Sequence, residues 1–172
     1  IKARSLNIPV YELLGGRIQD SLRTYCNGWY FGCTQDSQLP DAAAKAVTDG
    51  YDALKFYPFV TIMPEGRLRH PSFRAASDRS VVKRAVQTVS EIRRAVGPDV
   101  EIMLDLSAGL TTDDTIRFCR EVENLDITYV EEPAVPGDVG ALVKIAQNIS
   151  QRIAVGERVY SCLLYTSDAA DE

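Results

Sequence analysis

The sequence predicts an α/β fold built from parallel βα repeats, and two observations carry this prediction. Three short apolar runs each end in a carboxylate: residues 100–105, 127–131 and 152–157. The terminal acids Asp105, Glu131 and Glu157 follow one another at intervals of 26 residues, close to the length of one strand, one helix and two short connections. Because the carboxyl ends of parallel strands open onto one face, this repeat places the three acids at neighbouring positions on one rim.

Length and composition restrict the class of protein. A chain of 172 residues that is 45% hydrophobic can bury the core of one ordinary domain. The net charge of −5, with acids and bases interspersed, argues against a nucleic-acid or anionic-membrane surface. The sequence has no apolar run long enough to span a bilayer and does not open with a signal peptide. The four cysteines lack the spacing of a metal or redox motif, so we expect a cytoplasmic protein.

The elements that precede the second strand follow from turn, cap and strand signals. Residues 9–16, Pro-Val-Tyr-Glu-Leu-Leu-Gly-Gly, predict a short helix that ends at two glycines. Residues 21–29 are rich in strand-forming side chains and predict the first strand. A proline and an aspartate then predict the start of a helix over residues 42–48, which Gly50 ends.

The second strand, predicted over residues 53–58, carries the first candidate catalytic side chains. Because side chains alternate along a strand, Lys55 and Tyr57 should point to the same side and face the rim of acids. Residues 61–79 follow as a long basic loop that contains His70, the only histidine. We interpret this loop and His70 as solvated surface.

Three more helices complete the repeats. Residues 80–96 carry apolar side chains at helical spacing, and Gly97-Pro98 ends this helix. Capping oxygens at residues 111–114 predict the start of the next helix, and Asp138 predicts the start of the one after it. Each helix should cover the sheet between two successive strands.

The acids at the strand ends are candidate metal ligands. Three hard oxygen donors without histidine or cysteine suit Mg²⁺, with Mn²⁺ as a substitute. The alternative is that these acids cap helices or lie in solvent, in which case the chain is a non-catalytic αβ fragment without a metal site. Measured metal affinity separates these two interpretations. In an unrelated metal-dependent barrel such as a class II aldolase, we would expect histidine ligands at the strand ends. This sequence has no histidine at those positions, which argues against that class.

Three motifs carry a specific resemblance to a known family: Glu131-Glu132-Pro133, Ala154-Val155-Gly156-Glu157 and the strand that ends at Asp105. Together they resemble the mandelate racemase and muconate lactonising enzyme branch of the enolase superfamily. The resemblance implies a partial (β/α)8 TIM-type barrel with about the first five strands, because a complete barrel needs about 250 residues. It also implies that Asp105, Glu131 and Glu157 ligate one Mg²⁺.

The same resemblance divides the chain. We expect residues 1–160 to be the partial C-terminal barrel domain, and the N-terminal capping domain of the family to be absent. Residues 161–172 continue no βα pattern and are interpreted as a non-native tail.

The resemblance implies abstraction of the α-proton of a carboxylate substrate by a lysine or histidine base. In the racemase branch the second barrel strand ends in Lys-x-Lys; Lys55 matches the first lysine, and Tyr57 stands where the second is expected. Either Lys55 or Tyr57 could act as the base, and Tyr57 would need a lowered pKa. Ser107 stands where similar dehydratases often place an acid–base histidine. The base for the opposite face would come from later strands.

We therefore expect a fragment of a Mg²⁺-dependent sugar-acid dehydratase, a lyase, with a racemase or epimerase of the same superfamily as the alternative. Its partner would be a small-molecule carboxylate, without nucleic acid or membrane, and the intact protein would be a homo-oligomer. The fragment itself should be inactive.

Overall fold

The computed structural model describes residues 1–62, 68–69 and 79–158. Seven strands occur among these residues: β1 (Cys26–Asn27), β2 (Ala53–Phe56), β3 (Thr61–Ile62), β4 (Leu68–Arg69), β5 (Glu101–Asp105), β6 (Ile127–Glu131) and β7 (Arg152–Ala154). Five of them form one parallel sheet in the order β1-β2-β5-β6-β7, while β3 and β4 pair separately and antiparallel. The five adjacent parallel strands confirm the predicted α/β fold of βα repeats.

Six α-helices accompany the strands: α1 (Lys2–Ser5), α2 (Val10–Leu13), α3 (Leu39–Thr48), α4 (Arg79–Val96), α5 (Thr112–Glu121) and α6 (Val139–Ala146). Helices α3 to α6 each lie in the chain between two consecutive strands of the parallel sheet. On α4 the buried side chains Val82, Val89 and Ile92 lie at helical spacing and join the same apolar core as Leu54 and Ile102 of the sheet. The predicted apolar stripe is therefore the face that covers the strands.

Two of the predicted helix starts have the expected capping contacts. The hydroxyl of Thr111 accepts a hydrogen bond from the backbone N–H of Asp114 at 3.3 Å. The carboxylate of Asp138 accepts one from the backbone N–H of Ala141 at 2.9 Å. Each contact satisfies a backbone donor that the first helical turn leaves unpaired.

The strand boundaries differ from the predicted ones in several places. The second strand, predicted over residues 53–58, ends at Phe56. The first strand contains only two residues, and Gly28, with φ of 74°, turns the chain directly after it. The segment predicted as a loop over residues 61–79 contains the short β3–β4 pair. The last strand ends at Ala154 rather than Glu157, because Gly156 has φ of 137°, a backbone conformation that a strand of L-residues does not adopt.

Some sequence predictions lie outside the described residues, namely those for His70 and for the tail over residues 161–172. No helix in the described part of the chain combines the length and the apolar character needed to cross a membrane.

Candidate metal and catalytic site

Two of the three predicted ligands lie side by side. Asp105 is the last residue of β5 and Glu131 is the last residue of β6, and the two are register partners across the parallel pair. Glu157 lies three residues beyond Ala154, the last residue of β7, in a turn at the same edge of the sheet. Asp105 and Glu131 thus lie at the carboxyl ends of neighbouring parallel strands, and Glu157 lies shortly after the end of the next one.

Lys55 of β2 brings a positive charge to the first two acids. Its Nζ lies 3.7 Å from Oδ2 of Asp105 and forms an ion pair with Oε2 of Glu131, and its side chain is only 9% exposed. Burial lowers the pKa of Lys55, but the hydrogen bond to Glu131 and the charges of Glu131 and Asp105 outweigh it, so the pKa is raised. In this arrangement Lys55 holds its proton.

Glu157 is placed differently. Its carboxylate is 45% exposed and lies 3.1 Å from Nε of the adjacent Arg158. Over the described ranges, no three histidine, cysteine or acidic side chains come together as they would around a metal ion. The structure therefore brings Asp105 and Glu131 to a common cation, while the role of Glu157 as third ligand stays a prediction.

The donor chemistry fits a divalent metal ion. Asp105 and Glu131 offer hard carboxylate oxygens on adjacent strands, and both already lie against the ammonium of Lys55. Mg²⁺ prefers such oxygen ligands and is commonly bound by one or two protein carboxylates. The residues that would hold it are Asp105 and Glu131, with Glu157 on the following turn.

Tyr57, the second candidate base, lies one residue beyond the end of β2 and is 3% exposed. Its ring packs edge-on against Phe59, with ring centroids 6.0 Å apart. Burial is the main reason that the pKa of Tyr57 is raised; the charge of Asp105 adds to the effect and that of Arg158 opposes it. This direction is opposite to the lowering that a catalytic base would need.

Ser107 connects the first acid to a residue that the sequence analysis did not single out. The backbone N–H of Ser107 donates to Oδ1 of Asp105 at 3.0 Å. Arg158 in turn donates to the hydroxyl of Ser107 at 3.1 Å and to its carbonyl oxygen at 3.3 Å. Arg158 thus links the loops that follow β5 and β7, a contact between residues 51 positions apart that no local sequence signal indicates.

Glu132 is the other residue that sequence reasoning missed as an individual. In the sequence it stands out only as part of the motif around Glu131, yet it is buried and its carboxylate accepts a hydrogen bond from the N–H of Gly156 at 2.9 Å. The sequence signal that could have identified Glu132 is its position as a charged residue directly after a candidate ligand at a strand end. Its burial depends on the neighbouring loops.

The chain is similar to known proteins in both sequence and fold. The family model described as "Enolase C-terminal domain-like" matches residues 38–167. The D-gluconate dehydratase of Thermoproteus tenax is 35% identical over 161 residues, which cover 94% of this chain and 30% of that protein. A solved structure from Mesorhizobium loti, provisionally named a dehydratase, has 45% identity and a TM-score of 0.84 over 96% of this chain and 43% of that one. A mandelate racemase/muconate lactonizing enzyme-like protein from Rubrobacter xylanophilus has 28% identity and a TM-score of 0.71, covering 89% of this chain and 42% of that one.

The chain spans about a third of the length of the curated relatives it matches, between 30% and 38% for the dehydratases of Thermoproteus tenax and Xanthomonas euvesicatoria. It spans less than half of the solved structures. Together with the five parallel strands, this likeness confirms the predicted partial (β/α)8 barrel.

Proposed function

The chain belongs to the enolase C-terminal domain-like family, within the enolase superfamily, and from that membership we propose that the protein carrying it dehydrates a sugar acid with the help of a divalent metal ion. The relative from Thermoproteus tenax is a D-gluconate dehydratase. This relative favours an aldonate-type substrate and favours dehydration over the racemase or epimerase alternative.

One observation carries the proposal: the carboxylates of Asp105 and Glu131, on adjacent strand ends, both lie against one buried cation, the ammonium of Lys55. Two carboxylates at the same edge of a sheet repel one another unless a positive charge lies between them. The site is therefore built to hold positive charge at the rim where barrel enzymes place their chemistry.

The reaction removes the α-proton and the β-hydroxyl of the acid as water, and the enol that remains tautomerises to an α-keto acid. When bound by Asp105 and Glu131, Mg²⁺ would stabilise the negative charge that develops on the substrate carboxylate and would offset the charges that raise the pKa of Lys55. We assign to Lys55 the transfer of the α-proton, because its Nζ lies at the rim beside both acids. Tyr57, buried and with a raised pKa, is the weaker candidate.

The test is Glu131→Gln in the full-length protein that contains this chain. The change keeps the size of the side chain and removes its charge, so Mg²⁺ and Mn²⁺ affinity should fall by more than the roughly 10–100-fold typical of an outer-shell partner. Dehydration of D-gluconate and related aldonates should fall with it. Calorimetric metal titration and detection of the α-keto acid measure the two effects.

Glu123→Gln is the matched control. Glu123 is an exposed glutamate in the short 3-10 turn that leads into β6, so it lies at the opposite edge of the sheet from Glu131. The Glu123→Gln protein should keep normal metal affinity and normal dehydration of aldonates. A Glu131→Gln protein that also kept them would show that Glu131 serves only as a structural acid.

A further inference from the structure

We propose that Glu132 is a positioning residue: its buried carboxylate holds the Gly156–Glu157 turn and so sets the place of the third predicted ligand. The proposal rests on the proposed metal site and adds to it a residue that does not itself contact the metal. Its basis is a set of hydrogen bonds that join the loops after β5, β6 and β7.

Glu132 makes contacts to both neighbouring strand ends. Its backbone N–H donates to the carbonyl of Ala154 at 2.9 Å, and its own carbonyl accepts from the N–H of Ala108 at 2.7 Å. Its carboxylate oxygen Oε1 accepts from the N–H of Gly156 at 2.9 Å. One residue thus connects the turn that follows Asp105 with the turn that contains Glu157.

The backbone of Glu132 adopts a conformation that residues with a side chain rarely adopt. Its φ is 45°, in the left-handed region, which costs a residue with a side chain roughly 1–2 kcal/mol relative to glycine. Glutamate is not favoured there by any local preference, since asparagine and glycine are the usual residues. The hydrogen bonds of both its backbone and its side chain hold Glu132 in this conformation.

Burial indicates what the side chain of Glu132 contributes. Glu132 is only 5% exposed, and a buried carboxylate is retained only where hydrogen bonds offset the loss of water. The N–H of Gly156 supplies such a bond. This donor lies just after the last backbone bond of the β6–β7 ladder, the one from Glu132 to Ala154.

The bond to Glu132 is one of the contacts that fix the conformation of the Gly156 turn. Gly156 has φ of 137°, and apart from its chain neighbours no atom lies within 4 Å of where a Cβ would be, so the space beside its Cα is open. The next residue is Glu157. Without the bond to Glu132, the peptide of Gly156 would lose one of the contacts that hold it, although the bonds from Arg158 to Ser107 would remain. The carboxylate of Glu157 would then be held less closely in its place relative to Asp105 and Glu131.

The experiment measures Mn²⁺ binding to the full-length protein by calorimetry and by the electron paramagnetic resonance spectrum of the bound ion, which reports the symmetry of the ligands. Glu132→Leu removes the acceptor, whereas Glu132→Gln keeps an amide oxygen that can accept the same bond. We expect Glu132→Leu to weaken Mn²⁺ binding by about 10–100-fold and broaden the spectrum. The Mn²⁺ affinity of the Glu132→Gln protein should stay within about threefold of that of the unmodified protein, a much smaller change than the loss expected for Glu132→Leu.

Gly156→Ala examines the other end of the same bond and covers the case in which Glu132→Leu does not fold. An added Cβ meets open space, so the change acts only by disfavouring the backbone conformation of the turn. It should weaken Mn²⁺ binding in the same direction. Glu123→Leu, at an exposed site on the opposite edge, is the matched control and should leave binding and melting temperature unchanged.

The outcomes distinguish a failure of the proposed metal site from a failure of the proposed role of Glu132. If the unmodified protein binds no Mn²⁺, the proposed metal site fails, and the role of Glu132 fails with it. If it binds Mn²⁺ but a folded Glu132→Leu protein, or Gly156→Ala in its place, binds equally well, only the positioning role is overturned. If Glu132→Gln is as weak as Glu132→Leu, the charge of Glu132 matters directly, and the positioning role is likewise overturned.

Discussion

Lys55 illustrates how a single residue takes its chemistry from its neighbours. On an isolated strand its amine would be an ordinary surface group. Here it is nearly buried against Asp105 and Glu131, which keep its ammonium protonated. The proposed catalysis by Lys55 therefore depends on what neutralises those two acids, and for this reason the proposed metal and the proposed base belong to one site.

Lys55→Met in the full-length protein should lose α-proton exchange, because it removes the proton-transfer group while keeping an unbranched side chain of similar length. We expect deuterium incorporation from D₂O into the substrate to fall by about 10²–10⁴-fold, the range for a general acid–base group. Metal affinity is measured in parallel to separate loss of the base from loss of the metal.

Tyr57→Phe is the companion to this change. It keeps the buried ring and its packing on Phe59, and because the pKa of Tyr57 is raised, its hydroxyl should contribute little to proton abstraction at neutral pH. Exchange should remain close to normal. The reverse pattern, with Tyr57→Phe inactive and Lys55→Met active, would transfer the role of base to Tyr57.

At the scale of elements, helix α4 is attached to the sheet by more than its apolar stripe. Near its end, Arg93 donates to the carbonyl oxygens of Gly97 at 2.8 Å and Val100 at 2.7 Å, just before β5. It also donates to those of Leu125 and Asp126, just before β6, at 3.0 Å each. One guanidinium therefore aligns the starts of the two strands that end in Asp105 and Glu131.

Arg93→Met should destabilise the domain, because it leaves four carbonyl oxygens without their donor while keeping the aliphatic packing. A loss of about 2 kcal/mol follows from the value of hydrogen bonds to charged groups, and it corresponds to a melting temperature lower by roughly 4–8 °C for a domain of this size.

Arg94→Met is the natural control for this change. Arg94 is the next residue on the same helix and is exposed, and exposed substitutions rarely change stability by more than about 0.5 kcal/mol. Equal melting temperatures for the Arg93 and Arg94 variants would show that the bonds to the carbonyl groups add nothing to stability.

At the scale of the whole molecule, the sheet is open at both sides within the described residues. Strand β1 pairs only with β2, and strand β7 pairs only with β6. Large apolar side chains such as Leu14, Ile18, Leu22 and Val155 are exposed near the two ends of the described chain. Unpaired strand edges and exposed apolar side chains favour association with other chains.

We therefore expect the 172-residue chain, expressed alone, to aggregate and to show no dehydratase activity. The free energy of unfolding is only about 5–15 kcal/mol even for an ordinary domain, so unpaired strands and exposed apolar side chains leave this chain little net stability. Analytical ultracentrifugation and thermal melting test this, with the full-length protein as the reference. A soluble monomer that melts cooperatively and turns over an aldonate would contradict the expectation.

The sequence by itself determined the order and type of the main elements, because the signals for them are local. The cap residues Thr111 and Asp138, the apolar stripe of α4 and the strand-end acids Asp105 and Glu131 are all visible in short windows. The equal spacing of Asp105, Glu131 and Glu157 was enough to predict parallel strands that end at one edge of the sheet, since a βα unit has a nearly constant length.

Only the tertiary structure decided how the site is arranged around those acids. The end of β7 before Glu157, the left-handed conformation of Glu132 and the burial of Tyr57 depend on backbone pairing and packing between separate βα units. The pKa of Lys55 likewise depends on charges 50 and 76 residues away in the sequence. The distances between strand-end side chains and the burial of single residues such as Tyr57 arise from contacts between distant segments, and a local pattern of residues does not specify them.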